Sequence, residues 1–151
     1  NAGAGIDGVS ITTANSTVRG LVINRFNRHG IYISAGTGGN TVAGNYIGTD
    51  ASGFLALGNA TGVFVNFSPD NNIGGAESGA GNVISGNLGN GVTLNGINAT
   101  GNVVLGNLIG TDAPGTTKLA NDIGILIRDA PGNTIGGSSK SDKFSEMGFK
   151  K

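Results

Sequence analysis

A seven-residue phrase occurs twice in this chain, as GNYIGTD at 44–50 and as GNLIGTD at 106–112, 62 positions apart. Six of the seven residues are unchanged, and only Tyr46 is replaced, by Leu108. Other glycine and asparagine residues recur at the same distance. A fixed period of this length indicates stacked copies of one structural unit, and it argues against a globular fold without repeats.

Shorter apolar segments recur within the long period. Five glycine-led segments start 22, 32, 29 and 33 residues apart: GVSI at 8–11, GIYI at 30–33, GVFV at 62–65, GVTL at 91–94 and GILI at 124–127. Each has apolar residues at positions i and i+2, which is the period of a strand with one buried face. The spacing predicts a solenoid with two unequal turns per unit, whose strands pair in parallel with those of the next turn.

The buried side of these strands can be predicted residue by residue. Two aliphatic stacks are expected to point inward: Val9, Ile11, Ile31, Ile33, Val63, Val65, Val92, Leu94, Ile125 and Ile127. Turns about 4.8 Å apart would then build a prism of five or six rungs. Helical spacing is absent from the sequence before its last residues, so no helix is expected within 8–137.

The composition is typical of solenoid coils that are stacked on one another and joined by tight corners. The chain of 151 residues has 30 Gly and 19 Asn. Asparagine tolerates left-handed backbone, and its amide can pair with an equivalent amide one turn away. The asparagines that follow glycine are predicted to form such ladders: Asn40, Asn45, Asn82, Asn87, Asn102, Asn107 and Asn133.

Charge and cysteine content restrict the classes of function. Nine basic and nine acidic residues give no net charge, so there is no electrostatic case for binding nucleic acid. Without cysteine, the chain has neither a disulfide scaffold nor a thiolate metal site. No apolar run approaches the ~20 residues that span a bilayer, and we expect no membrane insertion. The chain starts at NAGAG without Met, which favours a processed protein or an excised piece of a larger one.

Between residues 8 and 137 the chain resembles a known family. The phrases AGNVISGN, NGVTLNG, ATGNVVLGNLIGTDAPGT, NDIGILI and APGNTIGG are similar to the repeats of right-handed parallel β-helix proteins from bacterial secreted and surface proteins. That superfold is shared with pectate lyases and polygalacturonases. The resemblance implies an all-β, right-handed parallel β-helix over residues 1–137 and an extracellular or cell-surface location. It implies fold more than function.

The recurring aspartates are the first candidates for chemistry. Asp50 and Asp112 each follow Thr in the repeated phrase, and Gly stands three positions later. An aspartate at the start of a turn accepts a hydrogen bond from the N–H two residues on, which is the interpretation we favour. Ligand binding is the alternative, and Asp122 in the second of the two long corners, 48–61 and 110–123, would then contribute. Both corners are expected on the same side.

A second candidate is basic. Arg19, Arg25, Arg28 and His29 are the only basic cluster before the tail, and Arg25 and Arg28 are candidate ligands of a sugar acid or a sulfate. A solvated face or a protected sheet edge explains the same cluster without any ligand. We expect His29 to be a corner residue.

The sequence favours a non-enzymatic structural or adhesive module that displays loops, with carbohydrate binding as an extension. The alternative is a fragment of a polysaccharide lyase or glycoside hydrolase that acts on acidic polysaccharide. No catalytic residue, metal or cofactor is indicated, because paired carboxylates and the calcium nonapeptide are absent from the sequence. The expected partners are polysaccharide, neighbouring domains of a larger chain, or a second copy end to end. Residues 138–151 are either a capping helix or an unstructured tail.

Overall fold

The computed structural model describes residues 5–136, and within that range the chain is all β, without a helix. The prediction for a tail or cap at 138–151 lies outside the described residues. The fourteen strands are short, with two to six residues each: β1 (Val9–Ile11), β2 (Thr17–Arg19), β3 (Val22–Ile23), β4 (His29–Ile33), β5 (Thr41–Ala43), β6 (Tyr46–Ile47), β7 (Thr61–Asn66), β8 (Asn72–Gly74), β9 (Val83–Ile84), β10 (Asn90–Asn95), β11 (Val103–Leu105), β12 (Leu108–Ile109), β13 (Ile123–Arg128) and β14 (Thr134–Ile135). None of the described residues belongs to a helix long and apolar enough to cross a membrane.

Each strand pairs in parallel with the strand three places later in the chain, and this pairing builds three sheets. Sheet A contains β1, β4, β7, β10 and β13. Sheet B contains β2, β5, β8, β11 and β14, and sheet C contains β3, β6, β9 and β12. This is the arrangement of a parallel β-helix or similar solenoid, in which each coil contributes one strand to every sheet.

The two predicted aliphatic stacks are present in sheet A. Ile31 pairs in register with Val9 and Val63, while Ile33 pairs with Ile11 and Val65. The same registers continue through β10 to β13. The stacks are fully buried in the middle of the sheet, but Ile127, in the last described strand of sheet A, is 47% exposed. Its inward position was therefore predicted correctly and its burial was not.

A column of glycines runs beside these stacks. Gly8, Gly30, Gly62, Gly91 and Gly124 stand one residue before the first inward residue of their segments. A Cβ on Gly62 would lie 2.5 Å from the carbonyl oxygen of Gly91 and 2.9 Å from Cγ2 of Ile84 in sheet C. The glycine at this position thus lets sheets A and C approach closely, and the reason is steric rather than a left-handed backbone.

Asparagine ladders connect successive coils at three corners. In every step, the backbone N–H and the Nδ2 of one asparagine both donate to the Oδ1 of the next. The members are Asn40, Asn71, Asn102 and Asn133 in the first ladder, Asn45, Asn82 and Asn107 in the second, and Asn59, Asn87 and Asn121 in the third. All seven predicted ladder residues are confirmed, and three further members were missed.

The ladders show why 62 residues is the true period. Steps in the first ladder are 31 residues each, those in the second are 37 and 25, and those in the third are 28 and 34. The pairs 31 + 31, 37 + 25 and 28 + 34 all give 62. Successive coils therefore differ in where their loops are inserted, and the register returns after two coils.

The sequence SPDN at 68–71 predicts a type I turn, and APGT at 113–116 and APGN at 130–133 predict type II turns. These predictions are partly confirmed. Gly115 and Gly132 have φ angles of 73° and 71°, as expected for the third position of type II turns. The type I turn expected at 68–71 is wrong, because Asp70 has a φ of 56°, where a type I turn needs a negative value. A short polar side chain tolerates this left-handed backbone better than most.

Candidate functional site

Each long corner folds into a small hairpin. Isolated antiparallel bridges join Thr49 to Ala56 in the first and Thr111 to Lys118 in the second. We call residues 48–57 hairpin 1 and residues 110–119 hairpin 2. They connect sheet C to sheet A in alternate coils, and the repeated aspartates stand at the start of their tips.

Asp50 holds the tip of hairpin 1 by its own carboxylate. Oδ1 accepts the backbone N–H groups of Phe54 and Leu55, both at 3.1 Å, and Oδ2 accepts the hydroxyl of Ser52 at 2.7 Å. These bonds favour the charged form. The hydroxyl of Ser52 above all, and then the N–H of Leu55, hold the pKa of Asp50 below its ordinary value.

Asp112 makes the equivalent set of bonds in hairpin 2. Its Oδ1 accepts the N–H groups of Thr116 at 2.7 Å and Thr117 at 3.0 Å, and the Thr116 hydroxyl lies 3.2 Å from Oδ2. The N–H of Thr117 is the main reason that the pKa of Asp112 lies below its ordinary value. The structural interpretation of both aspartates agrees with the structure. The donor expected two residues later is present only at Asp50, where Ser52 contributes its hydroxyl and, as the weakest cause of the lowered pKa, its backbone N–H. The main backbone donors to both aspartates stand four and five residues on.

The two hairpins lie on the same side, as predicted, and they touch. The N–H of Ala113 donates to the carbonyl of Gly53 at 3.1 Å. A Cβ on Gly53 would lie 2.7 Å from Cε1 of Tyr46, so hairpin 1 folds back over the outer face of sheet C. Hairpin 2 does the same, since Gly115 faces Leu108. Tyr46 and Leu108, which differ in the repeated phrase, therefore occupy the same place beneath their hairpins.

The tips of the hairpins carry different side chains on the same backbone. Phe54 and Leu55 in hairpin 1 are 56% and 63% exposed. Thr116 and Thr117 take the corresponding positions in hairpin 2. Because the aspartate accepts the backbone N–H groups of both positions, these backbone bonds form whichever side chains stand there, and the hydroxyl of Thr116 adds a bond that Phe54 cannot make. The repeat thus presents variable residues from an invariant anchor.

The remaining acidic candidate, Asp122, does not join the other two. Its side chain is exposed, and its backbone N–H donates to the carbonyl of Gly89. Within residues 5–136, no three histidine or acidic side chains are placed to hold a metal ion. The described residues therefore do not combine Asp50, Asp112 and Asp122 into one metal site, and a role of these residues in binding another ligand stays a prediction.

The three arginines of the basic cluster contact different parts of the chain. Arg19 belongs to sheet B and reaches the carbonyl of Gly79. Arg25 lines a depression of 370 Å³ together with Phe26 and Leu88. Arg28 forms an ion pair with Asp7 at 3.3 Å. Each arginine thus has its own neighbours, and the role of Arg25 and Arg28 as ligands of a sugar acid or a sulfate stays a prediction.

An aromatic stack on the outer face of sheet A was not predicted. The rings of His29 and Phe64 lie 4.5 Å apart, Tyr32 stacks on Phe64 at 6.1 Å, and Arg28 lies over Tyr32 at 5.6 Å. His29 is the first residue of β4 rather than a corner residue. Parallel register places Tyr32 beside Phe64, and that register could not be read from the sequence alone.

An apolar groove between sheets A and B was also missed. It has a volume of 540 Å³, and Phe67, Pro69 and Ile97 line it with residues of three successive corners. Phe67 has a φ of 49°, which is unusual for a bulky residue. Its ring lies where a side chain on Gly96 would be. Only the stacking of coils brings these residues together, so no local signal could have found the groove.

Comparisons with protein-family models, with curated proteins and with solved structures found no match to this chain. They therefore assign neither a family nor a function.

Proposed function

We propose that this chain is a non-enzymatic structural or adhesive repeat module of an extracellular or cell-surface bacterial protein. Its solenoid would act as a rigid support that presents loops to a partner, such as a polysaccharide. The resemblance of its repeats to bacterial parallel β-helix proteins supports the location and the pectate-lyase-like superfold. We also infer a right-handed coil of about five to six rungs, because crossovers between parallel strands of one sheet are almost always right-handed.

The observation that carries this proposal is the use of the repeated carboxylates. Asp50 and Asp112 are the acidic residues that the repeat retains, and each is engaged by backbone N–H groups of its own hairpin. A general acid or base needs a carboxyl group that can reach a substrate proton. Carboxylates bonded in this way stabilise the shape of the loop, while the side chains at the loop tips differ between the two hairpins.

The proposal is tested by measuring turnover and binding on one preparation. Purified protein is incubated with pectins, alginates and glycosaminoglycans, with and without calcium, and a glycan array measures binding. We expect no turnover. Turnover that survives in the Asp50→Asn and Asp112→Asn variants would point to an enzyme with a different site. Turnover that either variant removes would contradict the structural role of that aspartate.

A further inference from the structure

His29 is the only histidine of the chain, and it occupies a confined place. Its ring lies 4.5 Å from Phe64 in β7 and 5.7 Å from Tyr32 in its own strand. The atom Nδ1 is buried and has no hydrogen-bond partner among the described residues. An unpaired buried nitrogen is uncommon, and a proton on it would have no acceptor.

The charged groups around His29 are already committed to other bonds. Asp7, which precedes β1, accepts the backbone N–H of His29 at 3.1 Å through Oδ1. Its Oδ2 accepts the guanidinium of Arg28 at 3.3 Å. Arg28 also lies over the ring of Tyr32, and β7 contributes the uncharged Phe64 to the contact. A protonated imidazole would thus stand beside an existing cation, with only a shared carboxylate to offset it.

His29 also holds the first strand of sheet A. The carbonyl of His29 accepts the N–H of Gly8 at 2.9 Å, directly before β1. In sheet A, β1 pairs with β4 alone, since it stands at the edge of the described sheet. Any displacement of His29 therefore acts on the bonds of Asp7 and Gly8 that attach this edge.

We propose that His29 is a proton-operated latch: protonation of its imidazole releases Asp7 and β1 from sheet A, while the strands beyond β4 stay paired. The consequence would be a module whose amino-terminal edge opens on mild acidification. An opened edge exposes the backbone of β4, which is the kind of surface that accepts another strand.

The electrostatics around His29 give the direction of the pH dependence. Burial is the largest effect and lowers the pKa of His29 below 6.5, Asp7 raises it, and Arg28 lowers it. A base with a lowered folded-state pKa takes up a proton on opening. Its contribution to stability is complete above 6.5 and is lost as the pH falls through 6.5 towards the folded-state value. Asp50 and Asp112 titrate below 3.8, outside this window.

Hydrogen exchange tests the latch directly. Protection factors of the amides in β1 are compared between pH 7 and pH 5, with the amides of β10 as the internal reference. We expect protection in β1 to fall several-fold at pH 5 and protection in β10 to stay constant. The His29→Phe variant keeps a stacking ring but cannot titrate, so its β1 should be equally protected at both pH values.

Two further variants and one titration exclude a general acid effect. Arg28→Gln removes the neighbouring cation and should raise the pKa of His29, as followed by NMR of the imidazole. Asp7→Asn keeps an oxygen for the His29 N–H but removes the negative charge, and it should lower that pKa. An imidazole of the unmodified protein that titrates at or above 6.5 would overturn the proposal, even if His29→Phe does not fold. Loss of β1 protection in His29→Phe equal to that of the unmodified protein would overturn it as well.

Discussion

Asparagine serves this fold as donor and acceptor at the same position. In each ladder step, the Oδ1 of one asparagine accepts two hydrogen bonds from the asparagine of the preceding coil, and the Nδ2 of the accepting residue donates to a backbone carbonyl group. Asn45 likewise donates from Nδ2 to the carbonyl of Val18 and to Oδ1 of Asn82. Buried amides of this kind must be fully paired, because each unmade bond in the interior is costly. Most ladder residues could be predicted, since a glycine before asparagine indicates a tight corner.

The ladder residues that were missed show the limit of a local signal. Asn71 follows Asp70 and Asn121 follows Ala120, so neither has the preceding glycine. Asn59 does follow a glycine, and 121 − 59 = 62 gives it an equivalent in the next unit. Comparison over the long period would therefore have found the third ladder. The depth at which each amide is buried depends on stacking, which no local pattern contains.

Replacing Asn71 by Ala should destabilise the protein strongly. Asn71 is fully buried, and the change leaves the N–H of Asn40 and its Nδ2 without their acceptor. Buried unpaired groups cost about 1–3 kcal/mol each, so we expect a loss of about 3 kcal/mol in the free energy of unfolding. The exposed neighbour is the control: Asn72→Ala should cost less than about 0.5 kcal/mol. Urea unfolding measures both, and similar losses in the two variants would contradict the ladder's role.

The repeated aspartates should make the protein less stable in acid. Because both have a folded-state pKa below 3.8, their contribution is complete above that value and is lost as the pH falls through 3.8 towards the folded-state pKa. Asp50→Asn and Asp112→Asn should each cost little at neutral pH and should flatten the decrease of the melting temperature below pH 4. Replacement by Ala should cost more than replacement by Asn, most of all at the buried Asp112.

Calcium provides the control for this interpretation. Because the oxygens of both aspartates already accept backbone and hydroxyl hydrogens, calcium should not raise the melting temperature of the unmodified protein. A calcium-dependent rise in the melting temperature that Asp50→Asn or Asp112→Asn abolishes would show that the repeated aspartate is a metal ligand.

At the scale of elements, the hairpins account for the alternation of long and short corners, which appears in the sequence as unequal spacings between the glycine-led segments. Coils with a short corner leave their part of sheet C uncovered by a hairpin of their own. Val83 stands in register between Tyr46 and Leu108, and it is 7% exposed. Val22, at the amino-terminal edge of sheet C, is 46% exposed. The period of 62 predicted that both hairpins share a side, but their folding back onto sheet C depends on contacts across coils.

The glycine column offers a matched pair of substitutions. Gly62→Ala puts a Cβ 2.5 Å from the Gly91 carbonyl oxygen, so we expect a loss of about 1–3 kcal/mol in the free energy of unfolding. Gly124 stands in the same column, but there the nearest atom is Cγ2 of Ile109 at 3.6 Å, which is an ordinary contact. Gly124→Ala should be neutral or stabilise by about 0.4–1 kcal/mol. Thermal and urea unfolding of the two variants would contradict the steric account if the losses were equal.

At the scale of the whole molecule, stability is expected to be a sum of contacts between adjacent coils. Each strand pairs with its equivalents in the coils before and after it, and the ladders follow the same rule. Repeat proteins of this kind gain stability as units are added, provided that every interface is preserved. The contact between the hairpins is an exception, because the bond from Ala113 to Gly53 crosses the short-corner coil between them. The repeating unit of the packing is therefore two coils, although the unit of strand pairing is one.

Insertions of two lengths distinguish these units. Residues 62–123, inserted again after Ile123, add 62 residues and keep hairpins and short corners in alternation. This variant should melt at a higher temperature than the unmodified protein, in one transition. Residues 62–90, inserted again after Asn90, add one coil of 29 residues and place two short corners in succession. The hydrogen bond between Ala113 and Gly53 is then lost, and two copies of Val83 lie between hairpins that are further apart. We therefore expect a smaller rise in melting temperature than for the longer insertion, or a fall. Calorimetry of the two proteins compares the outcomes at equal concentration. An equal or larger gain per added coil from the shorter insertion would show that a single coil is the packing unit and that the hairpin contact contributes nothing.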